Sequence, residues 1–188
     1  MARQGPIAGN EASVPGVSQN ATVAPLAVHA TAVAIDGRAV LIRGPSKVGK
    51  STLALALIEG STPAQPVTLI GDDRIILSRR GDDVLASPHP RIAGLIEKRG
   101  YGILSMPYAF NIPLAGVIDL RLDENGPASS RPRSTTCRFL EKEFPSLYLY
   151  PGSRGTGHGH EVLDWVTATL AAHLAQKARA RPCKRAKD

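Results

Sequence analysis

GPSKVGKST, at residues 44–52, fits the phosphate-binding pattern G-x-x-x-x-G-K-[ST] at every position. Its two pattern glycines allow the backbone to bend so that successive N–H groups face phosphate oxygens. The lysine is expected to reach the β- and γ-phosphates, and the serine hydroxyl is expected to bind magnesium. The whole loop is therefore predicted to bind a nucleotide, through Gly44, Pro45, Ser46, Lys47, Val48, Gly49, Lys50, Ser51 and Thr52.

The sequence on either side of the loop supports this interpretation. The apolar run Ala39–Ile42 precedes it and is typical of a buried strand. The stretch Thr52–Glu59 follows it, consists largely of good helix formers, and places Leu53 and Leu57 one turn apart. A helix that starts here would direct its positive end at the bound phosphates. Strand, glycine loop and helix form the context that the motif requires.

The length of 188 residues indicates one domain, and 43% hydrophobic residues are enough for a core. Residues 1–27 are rich in Gly, Ala, Pro, Ser and Asn, so they are expected to form a flexible leader. We expect the catalytic domain to span 28–176 and a basic disordered tail to span 177–188. No run approaches the roughly twenty apolar residues of a membrane span, so no membrane association is predicted.

The net charge of +7 is concentrated at one end of the chain. The tail alone has a net charge of +5, which leaves +2 for the remainder. A basic tail of this kind is more typical of a solvated end than of a specific reader of nucleic acid, so specific nucleic-acid binding is not predicted. The charges of the tail come from Lys177, Arg179, Arg181, Lys184, Arg185, Lys187 and Asp188.

Cysteine and histidine usage indicates neither a disulfide framework nor a zinc site. Cys137 and Cys183 are far apart, which fits a protein of the reducing cytoplasm. His158 and His160 lie in a glycine-rich stretch without nearby cysteine or carboxylate partners, and they are interpreted as solvated.

The remaining pattern favours an α/β domain with more strands than helices. Asp36-Gly37 joins two apolar stretches and predicts a hairpin. Strands are expected at Val67–Ile70 and Leu114–Leu120, and mixed apolar residues over 144–150 are also expected to be extended. Apolar residues four apart predict an amphipathic helix over 161–177.

Two adjacent acids, Asp72 and Asp73, follow the strand at Val67–Ile70. Phosphoryl transfer to a hydroxyl requires magnesium at the phosphates and a carboxylate that accepts the proton, and an acid pair can divide these tasks. The similar pair Asp82-Asp83 falls in a turn and is interpreted as surface acids. The chain contains neither a guanine-reading N-K-x-D motif nor an LSGGQ-like signature, so small GTPases and ABC-type ATPases do not fit.

Four ordered features resemble the catalytic domain of bacterial HPr kinase/phosphorylase. They are His29, the phosphate loop, the acid pair after Gly71, and the run Leu95–Ile103, which contains IEKRGYGI. The family pattern at the last feature is I-E-x-R-G-x-G-I. The resemblance covers about residues 28–120, and it is closest to the short form of alphaproteobacteria, which has the C-terminal catalytic domain alone.

The resemblance implies a fold and an activity. The fold would be a P-loop kinase domain of the phosphoenolpyruvate-carboxykinase-like type, a mixed sheet with flanking helices. The activity would be ATP- and Mg²⁺-dependent phosphorylation of a serine on HPr, the phosphocarrier of the sugar phosphotransferase system. Many members also reverse the reaction with inorganic phosphate, and many are hexamers. The short forms are often linked to regulation rather than to sugar uptake.

The resemblance also implies roles for single residues. Asp72 would accept the serine proton, and His29 would pair with that carboxylate and orient it. Arg99 would contact phosphate or stabilise the site. The residues around magnesium would be Ser51, Asp73 and Glu97. A later arginine-bearing loop of the family has no secure match here, and its candidates are Arg131, Arg133 and Arg154.

Two loop positions depart from the family pattern. The family usually has glycine at the position of Lys47 and an acid at the position of Thr52. Lys47 is expected either to add a phosphate contact or to strain a turn that favours glycine. These departures leave two alternatives to the HPr kinase: a nucleotide-binding regulatory module with weak or lost transfer, and a small-molecule kinase of the same fold.

Overall fold

The computed structural model describes residues 23–121 and 133–149, together with Asp164, Trp165 and Ala168. These last three are helical, as expected for the helix predicted over 161–177, most of which lies outside the described residues. Several other segments named above also lie outside the described residues. They are most of the leader, His158, His160, Cys183, Arg131, Arg154 and the basic tail. The first strand starts at Leu26, two residues before the predicted start of the domain.

The described ranges contain eleven β-strands, one continuous α-helix and one short 3-10 helix at Pro90–Ile92. The predicted α/β class with more strands than helices is confirmed. The elements are β1 (Leu26–His29), β2 (Thr31–Ile35), β3 (Arg38–Arg43), α1 (Lys50–Glu59), β4 (Val67–Gly71), β5 (Arg74–Arg80), β6 (Asp83–Pro88), β7 (Leu95–Lys98), β8 (Gly102–Ser105), β9 (Ile112–Leu120), β10 (Arg133–Phe139) and β11 (Lys142–Leu149).

Nine strands form one mixed sheet in which β9 is central. Its main path runs β1-β5-β6-β9-β3-β2-β4, and β10 and β11 extend it from β9. β9 pairs in parallel with β3 on one side. On its other side, the first residues of β9 pair with β6 and its last residues pair in parallel with β11. The strands β7 and β8 form a separate hairpin.

The strand β2 lies between β3 and β4 and is antiparallel to both. β3 and β4 therefore run in the same direction and end at the same edge of the sheet. The predicted hairpin at Asp36-Gly37 is confirmed, and both residues have positive φ, as a type I′ turn requires. Between β2 and β4 the register shifts: Val33 pairs with Leu69 and Ala32 with Gly71. Such a bulge redirects the residues that follow it.

Both faces of the main sheet are covered by apolar residues. On one face α1 packs against alternate residues of β2 and β3, including Val33 and Ile42. On the other face the remaining alternate residues, such as Leu41, pack against residues of β5 and against Phe144 of β11. Because β3 is buried on both faces, its sequence is a continuous apolar run rather than an alternating one.

An ion pair ties the end of β3 to β9, immediately before the phosphate loop. Nε and Nη2 of Arg43 each donate to a carboxylate oxygen of Asp119 over 2.8 Å, and the hydroxyl of Ser146 on β11 donates to the same carboxylate over 2.8 Å. Burial by itself lowers the pKa of Arg43, but the hydrogen bond and the charge of Asp119 raise it above its ordinary value. The guanidinium also lies over the ring of Phe139.

Sequence reasoning missed two strands of the sheet: β1, whose first residues fall in the predicted flexible leader, and β10. No element was predicted for β10, although it pairs with β11 along its full length. Its sequence RSTTCRF has few apolar residues. Among the described residues, no helix is both long enough and apolar enough to cross a membrane.

We expect Asp119→Asn to lower the free energy of unfolding by about 3 kcal/mol, because it removes one charge of a largely buried pair. The matched control is Glu141→Gln. Glu141 forms an ion pair with Arg79 in which 75% of the Glu141 side chain is exposed, against 14% for Asp119. The control should change stability by at most about 1 kcal/mol. Urea denaturation of both variants measures the difference, and equal losses would contradict the anchoring role of Asp119.

Candidate active site

The phosphate loop leaves the edge of the sheet at the end of β3 and is packed closely against β9. A Cβ atom at Gly44 would lie 2.5 Å from the backbone oxygen of Leu120 and 2.9 Å from Cγ1 of Val48. Gly44 also has a φ of +146°. Only glycine therefore fits at the first position of the loop. Val48 turns inward and joins the core beneath α1.

The other end of the loop is built to receive negative charge. Gly49 precedes α1 with a φ of +104°, and within the described residues no side chain caps this helix start and its first turn has no acidic residue. The N–H groups of that turn are thus available to an anion. Nζ of Lys50 donates to the carbonyls of Gly44 and Pro45 over 3.1 and 3.0 Å, which holds its ammonium group inside the loop.

Lys47 occupies a conformation that favours glycine. Its φ is +66°, and its side chain is exposed. This backbone conformation agrees with the expectation that Lys47 strains a turn that favours glycine. Lys47 also lines both clefts that border the loop. Strained backbone at a ligand-binding position is a recurrent feature of functional sites.

Residues from three elements, β2, α1 and β7, contact the carboxylate of Asp72. β4 ends at Gly71, and Asp72 follows it with a residue exposure of only 9%. The hydroxyl of Ser51, in the first turn of α1, lies 3.0 and 2.9 Å from the two carboxylate oxygens. The hydroxyl of Thr31 donates over 2.6 Å, and the backbone N–H of Glu97 donates over 3.3 Å. The carboxylate of Asp72 therefore lies directly beside the phosphate loop.

The expected pairing of His29 with Asp72 is wrong. Nδ1 of His29 lies 3.0 Å from the backbone oxygen and 3.1 Å from Oδ1 of Asp73. The reason is the local backbone: Asp73 has a φ of +63°, which turns its side chain away from Asp72 and towards β1. Asp72 is held by Thr31 instead. The Asp73 and His29 side chains are exposed, at 70% and 53%.

The β7–β8 hairpin brings the last predicted residues to the loop. Glu97 lies on β7, and Arg99 follows at the turn of the hairpin. One cleft of about 560 Å³ lies between this hairpin, the loop and the acid pair; its lining includes His29, Lys50, Ser51, Asp72, Asp73 and Glu97. A smaller cleft of about 250 Å³ contains Thr52 and Arg99, and both clefts share Lys47, Lys50, Ser51 and Glu97.

These residues fit a magnesium–nucleotide complex. The larger cleft has the volume of a small-molecule site. Its loop offers a lysine and free N–H groups to phosphate, and its opposite wall offers carboxylates. Among the described residues, no three His, Cys, Asp or Glu side chains form a ready-made metal cluster. Magnesium in kinases is commonly held by one or two carboxylates together with substrate phosphates, so the donor set of Ser51, Asp73 and Glu97 suits it.

Thr31 is the site residue that sequence reasoning missed. Its side chain is fully buried, and its hydroxyl donates to Asp72 from the first residue of β2. In the sequence it belongs to the run TAVAI, where a threonine is an ordinary strand former. The only available signal was that a polar residue stands at the start of a run that is otherwise apolar.

The fold and the site together define a phosphate-loop nucleotide-binding domain of the mixed α/β class. Residues 21–114, half of the chain, match the family model "HPr Serine kinase C-terminal domain". The chain therefore belongs to the HPr serine kinase C-terminal domain family, as the sequence motifs predicted.

Curated relatives agree with this assignment. The HPr kinase/phosphorylase of Mycoplasma mycoides subsp. mycoides SC is 42% identical over 78 residues, which are 42% of this chain and 23% of that protein. The HPr kinase/phosphorylase of Chloroherpeton thalassium is 35% identical over 140 residues, which are 68% of this chain and 40% of that protein. The chain thus spans less than half the length of these relatives.

A solved structure shares the fold. The Hpr(Ser) kinase/phosphatase from Coxiella burnetii matches with a TM-score of 0.62 over 81% of this chain and 99% of that chain. The sequence identity is 24%, so this likeness supports the fold alone.

We expect Lys47→Gly to raise the free energy of unfolding by about 1 kcal/mol, because it relieves a left-handed residue that has a Cβ atom. Lys47→Ala is the matched control: it removes the same charge and keeps the strained conformation, so it should bring no gain. Thermal denaturation of both variants measures the effect. Equal stabilisation by glycine and alanine would show that charge repulsion, rather than backbone strain, is relieved.

Proposed function

We propose that this chain is an ATP- and Mg²⁺-dependent serine kinase that phosphorylates an HPr-type phosphocarrier protein. One observation carries the proposal: the hydroxyl of Ser51 in the phosphate loop lies 2.9 Å from the carboxylate of Asp72. The end of a bound triphosphate and a proton acceptor would thus meet in one cleft. Membership of the HPr serine kinase family supports an HPr-type protein as the acceptor of the phosphoryl group.

Donor binding is assigned to the loop and the start of α1. The ammonium group of Lys50 and the N–H groups of the first helical turn would bind the β- and γ-phosphates. Arg99 and Lys47 border the smaller cleft and would add positive charge at the phosphates. Magnesium, when bound, would neutralise phosphate charge during transfer, and its proposed ligands are Ser51, Asp73 and Glu97.

Proton transfer is assigned to Asp72. The serine oxygen of HPr would form a bond to the γ-phosphorus as the bond to the leaving ADP breaks, and the serine proton would pass to the Asp72 carboxylate. That carboxylate accepts hydrogen bonds from Thr31 and from the N–H of Glu97, so its orientation is fixed even when Ser51 turns away from it. His29 lies on the rim and contacts Asp73, so we assign it to the orientation of that acid.

The same arrangement suits the reverse direction. In phosphorolysis, an oxygen of inorganic phosphate would form a bond to the phosphoserine phosphorus as the bond to the serine oxygen breaks, and Asp72 would return the proton to that serine oxygen. The products would be the serine hydroxyl of HPr and pyrophosphate. We further propose a regulatory role and a hexamer, which the family resemblance implies, and a cytoplasmic location, which the cysteine usage fits.

The test is transfer of labelled γ-phosphate from ATP to a serine of HPr. We expect Asp72→Asn to lower kcat by about 10²- to 10⁴-fold, the range for loss of a general base, while nucleotide binding is retained. The matched control is Asp82→Asn, the same change in the similar acid pair at the exposed β5–β6 turn, which should keep full activity.

Three results would count against this proposal. If the unmodified protein binds ATP without labelling HPr, the regulatory module or a small-molecule kinase is favoured. If Asp72→Asn retains transfer and Asp73→Asn abolishes it, the roles of the two acids are exchanged. If Asp82→Asn is as inactive as Asp72→Asn, the substitution acts through folding rather than through the proton acceptor.

A further inference from the structure

Thr31 is placed so that it can control the geometry of Asp72. It is the first residue of β2, directly opposite Ile42 near the end of β3, while its neighbour Ala32 pairs with Gly71 at the end of β4. The side chain of Thr31 therefore stands between the two strand ends that deliver the phosphate loop and the acid pair. It has no exposure to solvent.

The contact between Thr31 and Asp72 has the length of a strong hydrogen bond. Its 2.6 Å separation is shorter than the other hydrogen bonds that described residues make to this carboxylate. It lies in the range of a hydroxyl that donates to an ionised oxygen. Threonine has a branched side chain that is stiff at χ1, so the direction of this donor is set by the strand. The bond therefore fixes the carboxylate relative to the sheet.

The importance of this bond increases when ligand is bound. In the structure the carboxylate of Asp72 also accepts from Ser51, whose hydroxyl the proposed function assigns to magnesium. Once that hydroxyl turns to the metal, the remaining protein donors described here are Thr31 at 2.6 Å and the backbone N–H of Glu97 at 3.3 Å. The longer of these bonds belongs to the β7–β8 hairpin, which packs at the edge of the site. Among the described residues, Thr31 alone connects Asp72 to the main sheet through a side chain.

We propose that Thr31 is a positioning residue for phosphoryl transfer, which holds the carboxylate of Asp72 in the orientation that accepts the serine proton. Thr31 does not line either cleft, so it acts through Asp72 rather than on a substrate. This inference rests on the proposed kinase function and deepens it. Position 31 requires a buried hydroxyl on a strand residue. Serine also meets this requirement, and valine does not.

The test compares Thr31→Val, which preserves shape without the hydroxyl, with Thr31→Ser, which preserves the hydroxyl. We expect Thr31→Val to lower kcat for HPr phosphorylation by about 10- to 100-fold, the usual effect of losing a partner that orients an active-site group. The KM values for ATP and HPr should be unchanged, because the loss is confined to the transition state. Thr31→Ser should restore kcat to near the unmodified value.

A double-mutant cycle separates positioning from general stability. If Thr31 acts through Asp72, then Thr31→Val should lower kcat little further in the Asp72→Asn background. Additive losses in the cycle would overturn the proposal, as would failure of serine to restore kcat or a fall in thermal stability with unchanged kcat. Should Thr31→Val not fold, Thr31→Ala replaces it in the same cycle, with the same expected result.

A final control distinguishes failure of the positioning role of Thr31 from failure of the proposed kinase function. The unmodified protein is assayed first for label on HPr. If it transfers none, the kinase proposal fails and the positioning role falls with it. If it transfers phosphate and Thr31→Val transfers as fast, only the positioning role is overturned.

Discussion

The insertion of β2 between β3 and β4 is the constraint on which the site depends. Because β2 is antiparallel to both neighbours, the two strands end at the same edge of the sheet. The phosphate loop follows β3 at that edge, and Asp72 follows β4 there. A single hydrogen bond from Ser51 then connects them. A site with a phosphate cradle on one side and a carboxylate on the other is thus a direct consequence of strand order.

The loop is held rigidly on its sheet side and carries positive charge on its open side. Gly44 is confined by the backbone of Leu120, and the preceding Arg43 is bound to Asp119. These contacts fix the base of the loop on β9. The open side has the start of α1 with its free N–H groups and the ammonium group of Lys50. A binding site that is organised before ligand arrives loses less entropy on binding.

Much of this arrangement could be predicted from sequence, because it depends on local signals. Glycine spacing, an apolar run and helix formers indicate the loop and its flanks without knowledge of tertiary structure. The β2–β3 hairpin follows from Asp36-Gly37 in the same way. A position of the acid pair beside the loop was expected only if the strands that precede them were neighbours, whereas β2 lies between those strands in the structure.

What escaped prediction depends on tertiary contacts. The partner of His29 was assigned to Asp72, but the left-handed backbone at Asp73 brings that acid to the histidine instead. Thr31 has no local signal of function beyond its being a polar residue at the start of an apolar run, since its role arises from the pairing of β2 with β4. The strand β10 has a polar sequence and is stabilised by its pairing with β11 rather than by its own propensity.

The most direct test of this site is a crystal structure with magnesium and a non-hydrolysable ATP analogue. We expect the terminal phosphate to lie at Lys50 and the start of α1. We also expect the Ser51 hydroxyl to leave Asp72 for the metal, at about 2.1 Å, while Thr31 keeps its hydrogen bond to the freed carboxylate. A nucleotide bound elsewhere, or a Ser51 hydroxyl that stays on Asp72 beside a bound triphosphate, would contradict these expectations.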